Sequence, residues 1–465
     1  MEIKAPLYKE SASLNARPAS AWMKLTALIF LLPLSFVHAQ STLDDYVKEG
    51  LKSNLALQEK TIAVQQAQAA LQTARSYFLP SVTALVDYTS GDGGRSIALP
   101  VGDLLNPVYA SLNQLTSSDA FPQIENVEQN FFPKNFYDAR VRTTLPIVNT
   151  DLYVNRTIKT QQAVLEQQQV DLYKRELVYE IKTAYYQYLS AGAAVAIYES
   201  AEVLVRKNHD VNQSLLENGK ALPASVLRSK SEIAGIEAEL TSARNLETNA
   251  RQYFNFLLNR PLDTPIEEVT SGDTQLLTTY TDGVDNREEL KLLTTGREIQ
   301  QSVLRLSQLS RLPKVNAFLD LGSQASDWKF NDQSRYYLVG VQFSVPIFQG
   351  FRTNISIRQN RLDIARTELR LQNTRKQLML AASNASNDAV SAARSAAAAS
   401  DQLRSAQSYF NLVDKGYSAG VYTLIEFLDA RNQLTRAQLQ VNLRQFEWLR
   451  ALAQVERENA AYSFQ

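Results

Sequence analysis

The chain has 465 residues with 48 basic and 48 acidic side chains, so no excess charge draws it to a polyanion, and nucleic acid is excluded as an expected partner. Cysteine is absent, which removes disulfides, thiolate metal sites, a cysteine nucleophile and the lipidated cysteine of a bacterial lipoprotein. Two histidines, His38 and His209, leave imidazole chemistry little to work with.

Residues 1–39 read as an export leader. An apolar run over 25–37 follows Lys24, and Val37-His38-Ala39 supplies a small-x-small cleavage site, so the mature chain is expected to begin at Gln40. The 22 residues before Met23 read either as an over-long n-region or as following an upstream start codon that is not the one used, which leaves Met1 and Met23 both open as starts. No later stretch reads as apolar enough for a transmembrane helix, so strands are expected to make any crossing.

A first repeat is predicted over 40–262. It opens with a helix over 41–76 and, after Leu79-Pro80, a strand over 81–89. Residues 90–135, with Gly, Pro, Asn and Asp among scattered aromatics, read as a long loop. A strand over 138–145 alternates Asp138, Arg140 and Arg142 with Ala139, Val141 and Thr143, and Pro146 is expected to end it. A long helix over 152–217 keeps Ile181, Ala184, Tyr188, Ala191, Val195 and Tyr198 at coiled-coil spacing. A turn at Gly219 leads to another helix that stops at Asn259-Arg-Pro-Leu262, and residues 263–285 read as a linker.

The second repeat, 286–465, follows the same plan: a helix over 287–311, Leu312-Pro313, strands over 314–322 and 336–345, Pro346, a long helix, Gly420 and a final helix. In the second strand Tyr337, Val339, Val341, Phe343 and Val345 face one way while Gly340, Gln342 and Ser344 face the other. From Ile357 the period becomes seven, through Ile364, Leu371, Leu378, Ala385, Ala392, Ala399 and Ala406 to Val413. In the last helix Phe427, Leu434, Val441, Trp448 and Val455 are also seven apart. Pro313 lies 233 residues after Pro80, and Gly420 lies 201 after Gly219. The drop in offset places one insertion in the first strand-to-strand loop, and the two halves read as a tandem duplication.

Four strands per chain cannot close a barrel, for which about eight is the practical minimum, and open edges in lipid are costly. Several copies are therefore expected to share one barrel. Lys314, Asn316, Asp320, Gln342, Asp138, Arg140 and Arg142 would line its lumen, and Val315, Ala317, Leu319, Leu321, Val339, Val341 and Phe343 would face the acyl chains of lipid.

The leader, the duplication, Leu-Pro before each first strand, Pro346-Ile-Phe-Gln-Gly350 and Tyr417-Ser-Ala-Gly-Val-Tyr-Thr-Leu-Ile-Glu-Phe-Leu-Asp-Ala430 together resemble the TolC family of outer-membrane efflux proteins. The resemblance spans essentially the whole mature chain. It implies an α+β membrane protein of a Gram-negative outer membrane: a homotrimer with a twelve-stranded transmembrane β-barrel continued by a long α-helical coiled-coil barrel in the periplasm. Its implied role is the passive exit duct of a tripartite efflux or type I secretion system, fed by an inner-membrane pump through a periplasmic adaptor, with no cofactor and no catalysis. The cargo, whether drug, metal or protein, is left to the pump.

By the same resemblance, Gly219, Lys220, Leu222, Gly420, Val421 and Thr423 lie near the adaptor contact at the two turns. Tyr417, Glu426 and Asp429 fall at the periplasmic aperture. Carboxylates three apart share a helix face, and rings of them would favour cations. Two departures weaken a salt-bridged lock of the family's kind: Tyr422 stands where the family carries an arginine, and Ala224 and Ser225 stand where it carries Thr-Asp.

Gly416-Tyr-Ser-Ala-Gly420 matches a G-x-S-x-G nucleophile elbow, but that motif needs a preceding strand and a histidine base, and here a long helix precedes it. The rival class is a secreted coiled-coil fibre or adhesin, which would yield a soluble rod without pore activity.

Overall fold

A computed structural model of the chain describes residues 43–132, 134–267 and 284–464. The expected leader and most of the expected linker lie outside those residues.

The predicted first helix is two helices, α1 (Leu43–Ser53) and α2 (Leu55–Ser76). Asn54 separates them because its amide is held twice. Its Oδ1 accepts from Leu57 N at 3.0 Å, an N-cap, and its Nδ2 donates to Leu257 O at 2.9 Å. Strand β1 (Ser81–Thr89) follows as expected.

The segment expected to be a loop carries structure of its own: β2 (Ser96–Leu99), α3 (Val101–Thr116) and β3 (Val127–Asn130). Strand β2 pairs antiparallel with β3 in a separate two-stranded arm.

Strand β4 (Phe136–Val148) does not stop at Pro146; a register shift between Pro146 and Val148 absorbs the missing N–H and carries the strand on. Asn149 then caps α4 (Thr150–Glu217) by accepting from Asp151 N at 3.1 Å. At about 1.5 Å per residue, the 68 residues of α4 extend for roughly 100 Å. Pro223 opens α5 (Pro223–Leu257), where its missing N–H leaves no donor to satisfy.

The second half repeats this order with α6 (Glu288–Leu309), β5 (Lys314–Ser326), β6 (Arg335–Ser344), α7 (Arg352–Ser418) and α8 (Leu424–Glu458). Four strands form one antiparallel sheet in the order β1-β4-β5-β6. The halves therefore meet in the middle of the sheet, at β4 and β5, leaving β1 and β6 as its edges among the described residues.

The seven-residue seams are where the helices touch. On α7, Leu378, Ala385, Ala399, Ala406 and Val413 are buried, and on α8 Phe427, Leu434 and Val455 are buried. The largest apolar core lies where α1, α2, α4 and α5 meet. There Ile181, Leu177, Phe254 and Leu258 are sealed, and Tyr46 meets Phe254 edge-on at 5.2 Å.

One sequence expectation about the helices fails. Within α4 an 18-residue window reaches a mean hydropathy of 1.2, long and apolar enough by composition to cross a membrane. The run 191–197 is alanine-rich, and Val195 within it packs on Leu240 and Ala243 of α5. At Val195 that apolarity serves helix pairing.

Candidate functional site: a two-faced sheet and a polar tip

The strand register puts all seven residues expected to line a lumen on one face of the sheet. Asn316 lies opposite Gln342, Arg142 opposite Asp320, and Asp138 and Arg140 continue the row. Charges on this face are paired. Arg142 donates from Nε and Nη2 to the two oxygens of Asp320 at 2.7 and 2.6 Å, and Asp320 is only 1% exposed. Arg140 bonds Asp138 and lies 3.1 Å from Asp87, while the Tyr336 hydroxyl donates to Asp138 at 2.7 Å. Lys314 pairs with Asp151 where strand turns into helix.

The other face inverts the usual rule for a sheet in water. Val339 is 69% exposed, and Val341, Phe343, Leu321, Val82 and Val86 are exposed beside it. A contiguous apolar face with its polar side satisfied inward suits a hydrocarbon surround.

At the far end of the long helices, the turns after α4 and α7 share one backbone pattern. Lys220 N donates to Leu215 O at 2.7 Å, and Val421 N donates to Gly416 O at 2.8 Å, each reaching back five residues. Both turns need a left-handed residue, supplied by Gly219 at φ 68° and Gly420 at φ 78°. Leu222 and Val421 stand exposed beside them. Thr423 caps α8 in a reciprocal box: Glu426 accepts from Thr423 N at 2.7 Å and from its hydroxyl at 2.8 Å, and Thr423 Oγ1 accepts from Glu426 N. Those bonds, the backbone one first, hold the Glu426 carboxyl below its usual value.

The three predicted aperture residues do not converge. Glu426 and Asp429 are exposed one turn apart on α8, with Glu426 engaged by the cap. Tyr417 instead stacks on Phe427, ring centres 4.9 Å apart, and its hydroxyl donates to Asn212 of α4 at 3.3 Å. Tyr422 lies over Gly416, where any Cβ would overlap its ring. Packing therefore explains Gly416 and backbone geometry explains Gly420, while His209 faces Ser229 Oγ at 2.9 Å. The apparent nucleophile elbow has no elbow.

Sequence reasoning missed the strongest polar contact of this region. Arg431 of α8, 1% exposed, donates to Glu232 of α5 at 2.9 Å, and Glu232 also receives Arg228 at 2.9 Å. Two further N–H groups of Arg431, Nε and Nη1, meet no acceptor among the described residues. Burial pulls the Arg431 pKa below its ordinary value, and Glu232 only partly offsets it. The signal was slight: Arg431 lies four residues after Phe427 and three before Leu434, on the same helix face as that seam, where one arginine is easily passed over among apolar neighbours.

A second network was also missed. Arg175 in mid-α4 grips Glu288 at 2.6 and 2.8 Å, and Arg287 joins Glu458 at 2.6 Å and Glu289. Arg457 meets Glu176 at 2.6 Å, and Lys182 meets Glu456 at 2.6 Å. Mid-α4, the start of α6 and the end of α8 are thus clasped by ion pairs.

The chain has recognisable relatives. A family model described as "Outer membrane efflux protein" matches residues 285–457. "Outer membrane protein TolC" of Escherichia coli (strain K12) is 20% identical over 447 residues, 92% of this chain and 84% of that protein. "Alkaline protease secretion protein AprF" of Pseudomonas aeruginosa is 21% identical over 332 residues, 69% of each. Among solved structures, the Campylobacter jejuni CmeC outer membrane channel superposes with a TM-score of 0.73 at 13% identity, covering 90% of this chain and 85% of that one. The outer-membrane channel OprN gives 0.71 at 14% identity, covering 90% of each.

Proposed function

Because this chain belongs to the TolC-like family of outer-membrane efflux proteins, we propose that three copies share one twelve-stranded barrel and continue it with their helices as a periplasmic tunnel. The chain is an outer-membrane exit duct for efflux or secretion. The observation carrying the shared barrel is the sheet: among the described residues, four strands, two unpaired edges, an exposed apolar face and an ion-paired opposite face. In lipid each unpaired edge group costs several kcal/mol, roughly, and edge-to-edge pairing between copies removes that cost. Asp138, Arg140, Arg142, Lys314, Asn316, Asp320 and Gln342 then line the lumen.

The repeated order of helix, two strands, long helix and shorter helix supports a tandem duplication over 40–262 and 286–465, joined by 263–285. The exposed Leu222 and Val421, flanked by Gly219, Lys220, Gly420 and Thr423, form the tips that meet a periplasmic adaptor, which couples the duct to an inner-membrane pump. Transport is passive and uses no catalytic residue of this chain.

At the aperture, Glu426 and Asp429 form acidic rings. The Arg431–Glu232 pair ties the α7–α8 hairpin to the α4–α5 hairpin, in place of a lock through the position Tyr422 occupies. The test is reconstitution of the purified protein. A trimer that resists detergent until boiled, and conducts ions across a planar bilayer, is expected. A water-soluble monomer without conductance would defeat the reading.

A further inference from the structure

Resting on the shared barrel above, we propose that the exposed apolar face of α3 packs against the α3 helices of neighbouring copies, making a lid across the outer mouth of the barrel. Topology fixes the place. β1 enters from α2 and β4 leaves into α4, so the β1-to-β4 connection lies at the end of the sheet away from the long helices.

One face of α3 is already sealed by residues 121–126. Asn106 accepts from Ile124 N at 2.9 Å and donates to Ile124 O at 3.0 Å. Asn113 repeats this with Phe121 at 3.0 and 2.9 Å, and a Cβ at Gly102 would overlap Ile124 O. On the opposite face Leu104, Val108 and Leu115 are 69, 51 and 82% exposed, and at helical pitch they form one stripe. The stem of the arm is anchored: Asn135 Nδ2 donates to Asp327 at 3.1 Å, and Tyr88 donates to Asn135 at 3.0 Å.

Charge selects the occupant. Residues 90–135 carry Asp92, Asp103, Asp119, Glu125 and Glu128 against Arg95 and Lys134, and α3 itself has no basic residue. A helix lying on an anionic lipid surface needs Lys or Arg on its polar face, so lipid is a poor match. A second copy fits. A helix of 16 residues is about 24 Å long, and twelve strands about 4.8 Å apart enclose a mouth roughly 20–25 Å across. Three such helices, related by a threefold axis, reach one another there.

The chain has no cysteine, so a Leu104→Cys/Leu115→Cys variant reports cleanly in reconstituted trimers. Oxidation is expected to give covalent dimers and trimers, whereas Val339→Cys on the lipid face gives none. A Leu104→Asp/Val108→Asp/Leu115→Asp variant is expected to stay trimeric and to conduct at least twofold more current. Intact trimers without cross-links and with unchanged conductance would overturn the lid while leaving the shared barrel standing. Quenching of a fluorophore on Leu115→Cys by phospholipid brominated in its acyl chains would place the face in lipid and also overturn it. Absence of trimers in the unaltered protein would sink the shared barrel and the lid with it.

Discussion

Arg142 and Asp320 hold each other through two parallel hydrogen bonds across the β4–β5 ladder, where the first half of the chain meets the second. Asp320 is the enclosed partner, while the Arg142 side chain keeps 39% of its exposure. Removing the guanidinium therefore strands a buried carboxylate, whereas removing both strands nothing. Arg142→Ala is expected to lower the temperature at which the proposed detergent-resistant trimer dissociates by several degrees, and Arg142→Ala/Asp320→Ala by less. Gel mobility after graded heating checks the order.

The tip pair works by the same asymmetry. Glu232→Ala leaves Arg431 buried without a carboxylate, at about 3 kcal/mol, the low end for a broken buried pair because Glu232 is partly exposed. Release of the α7–α8 hairpin should raise single-channel conductance and its fluctuations. Arg431→Met/Glu232→Leu, which keeps the packing and discards both charges, should return the channel close to its original conductance.

The two carboxylates proposed for the aperture should not contribute equally. Glu426 is engaged by the Thr423 cap, and Asp429 projects without that restraint. Asp429→Asn is expected to reduce cation preference, read as a smaller reversal potential in a salt gradient, more than Glu426→Gln does. Thr423→Ala should leave selectivity nearly intact and weaken the start of α8 by about 1 kcal/mol, seen as faster amide exchange there.

Acid should loosen the clasp between α4, α6 and α8. Burial alone would raise the Glu289 carboxyl, but its hydrogen bond and attraction to Arg287 prevail and hold it below the ordinary value of 4.5. A carboxyl depressed in the folded state stabilises above its unfolded value, and that contribution fades as pH falls through the folded one. The melting temperature by circular dichroism should hold from about pH 7 to 5 on this account and fall below about pH 4.5. Glu289→Gln should flatten part of that fall.

Periodicity made the sheet and the seams legible. Val339, Val341 and Phe343 alternate with Gln342 because a strand has two faces, and Leu378 through Val413 recur by seven because one line of the helix is touched. What stayed hidden depends on partners distant in sequence. Asn54 breaks a helix because Leu257 O awaits its amide, and Arg431 is buried because Glu232 arrives from another hairpin. Helix α3 was masked by its own Asn106, Pro107 and Asn113. The two asparagines look like loop residues until their brackets to Ile124 and Phe121 are seen.

The placement of β1 and β6 at opposite borders of the sheet gives assembly a direction. A β1–β1 or β6–β6 junction between copies needs a twofold rotation, which would either send one copy's long helices to the wrong side of the bilayer or turn its ion-paired face outward to lipid. In the proposed shared barrel, only a β6-to-β1 junction keeps every copy upright with the same face to lipid, so growth would be head-to-tail. Such a chain of subunits has no intermediate with both borders satisfied until the last copy closes the circle, and half-built arcs expose the same sticky borders that aggregation would use.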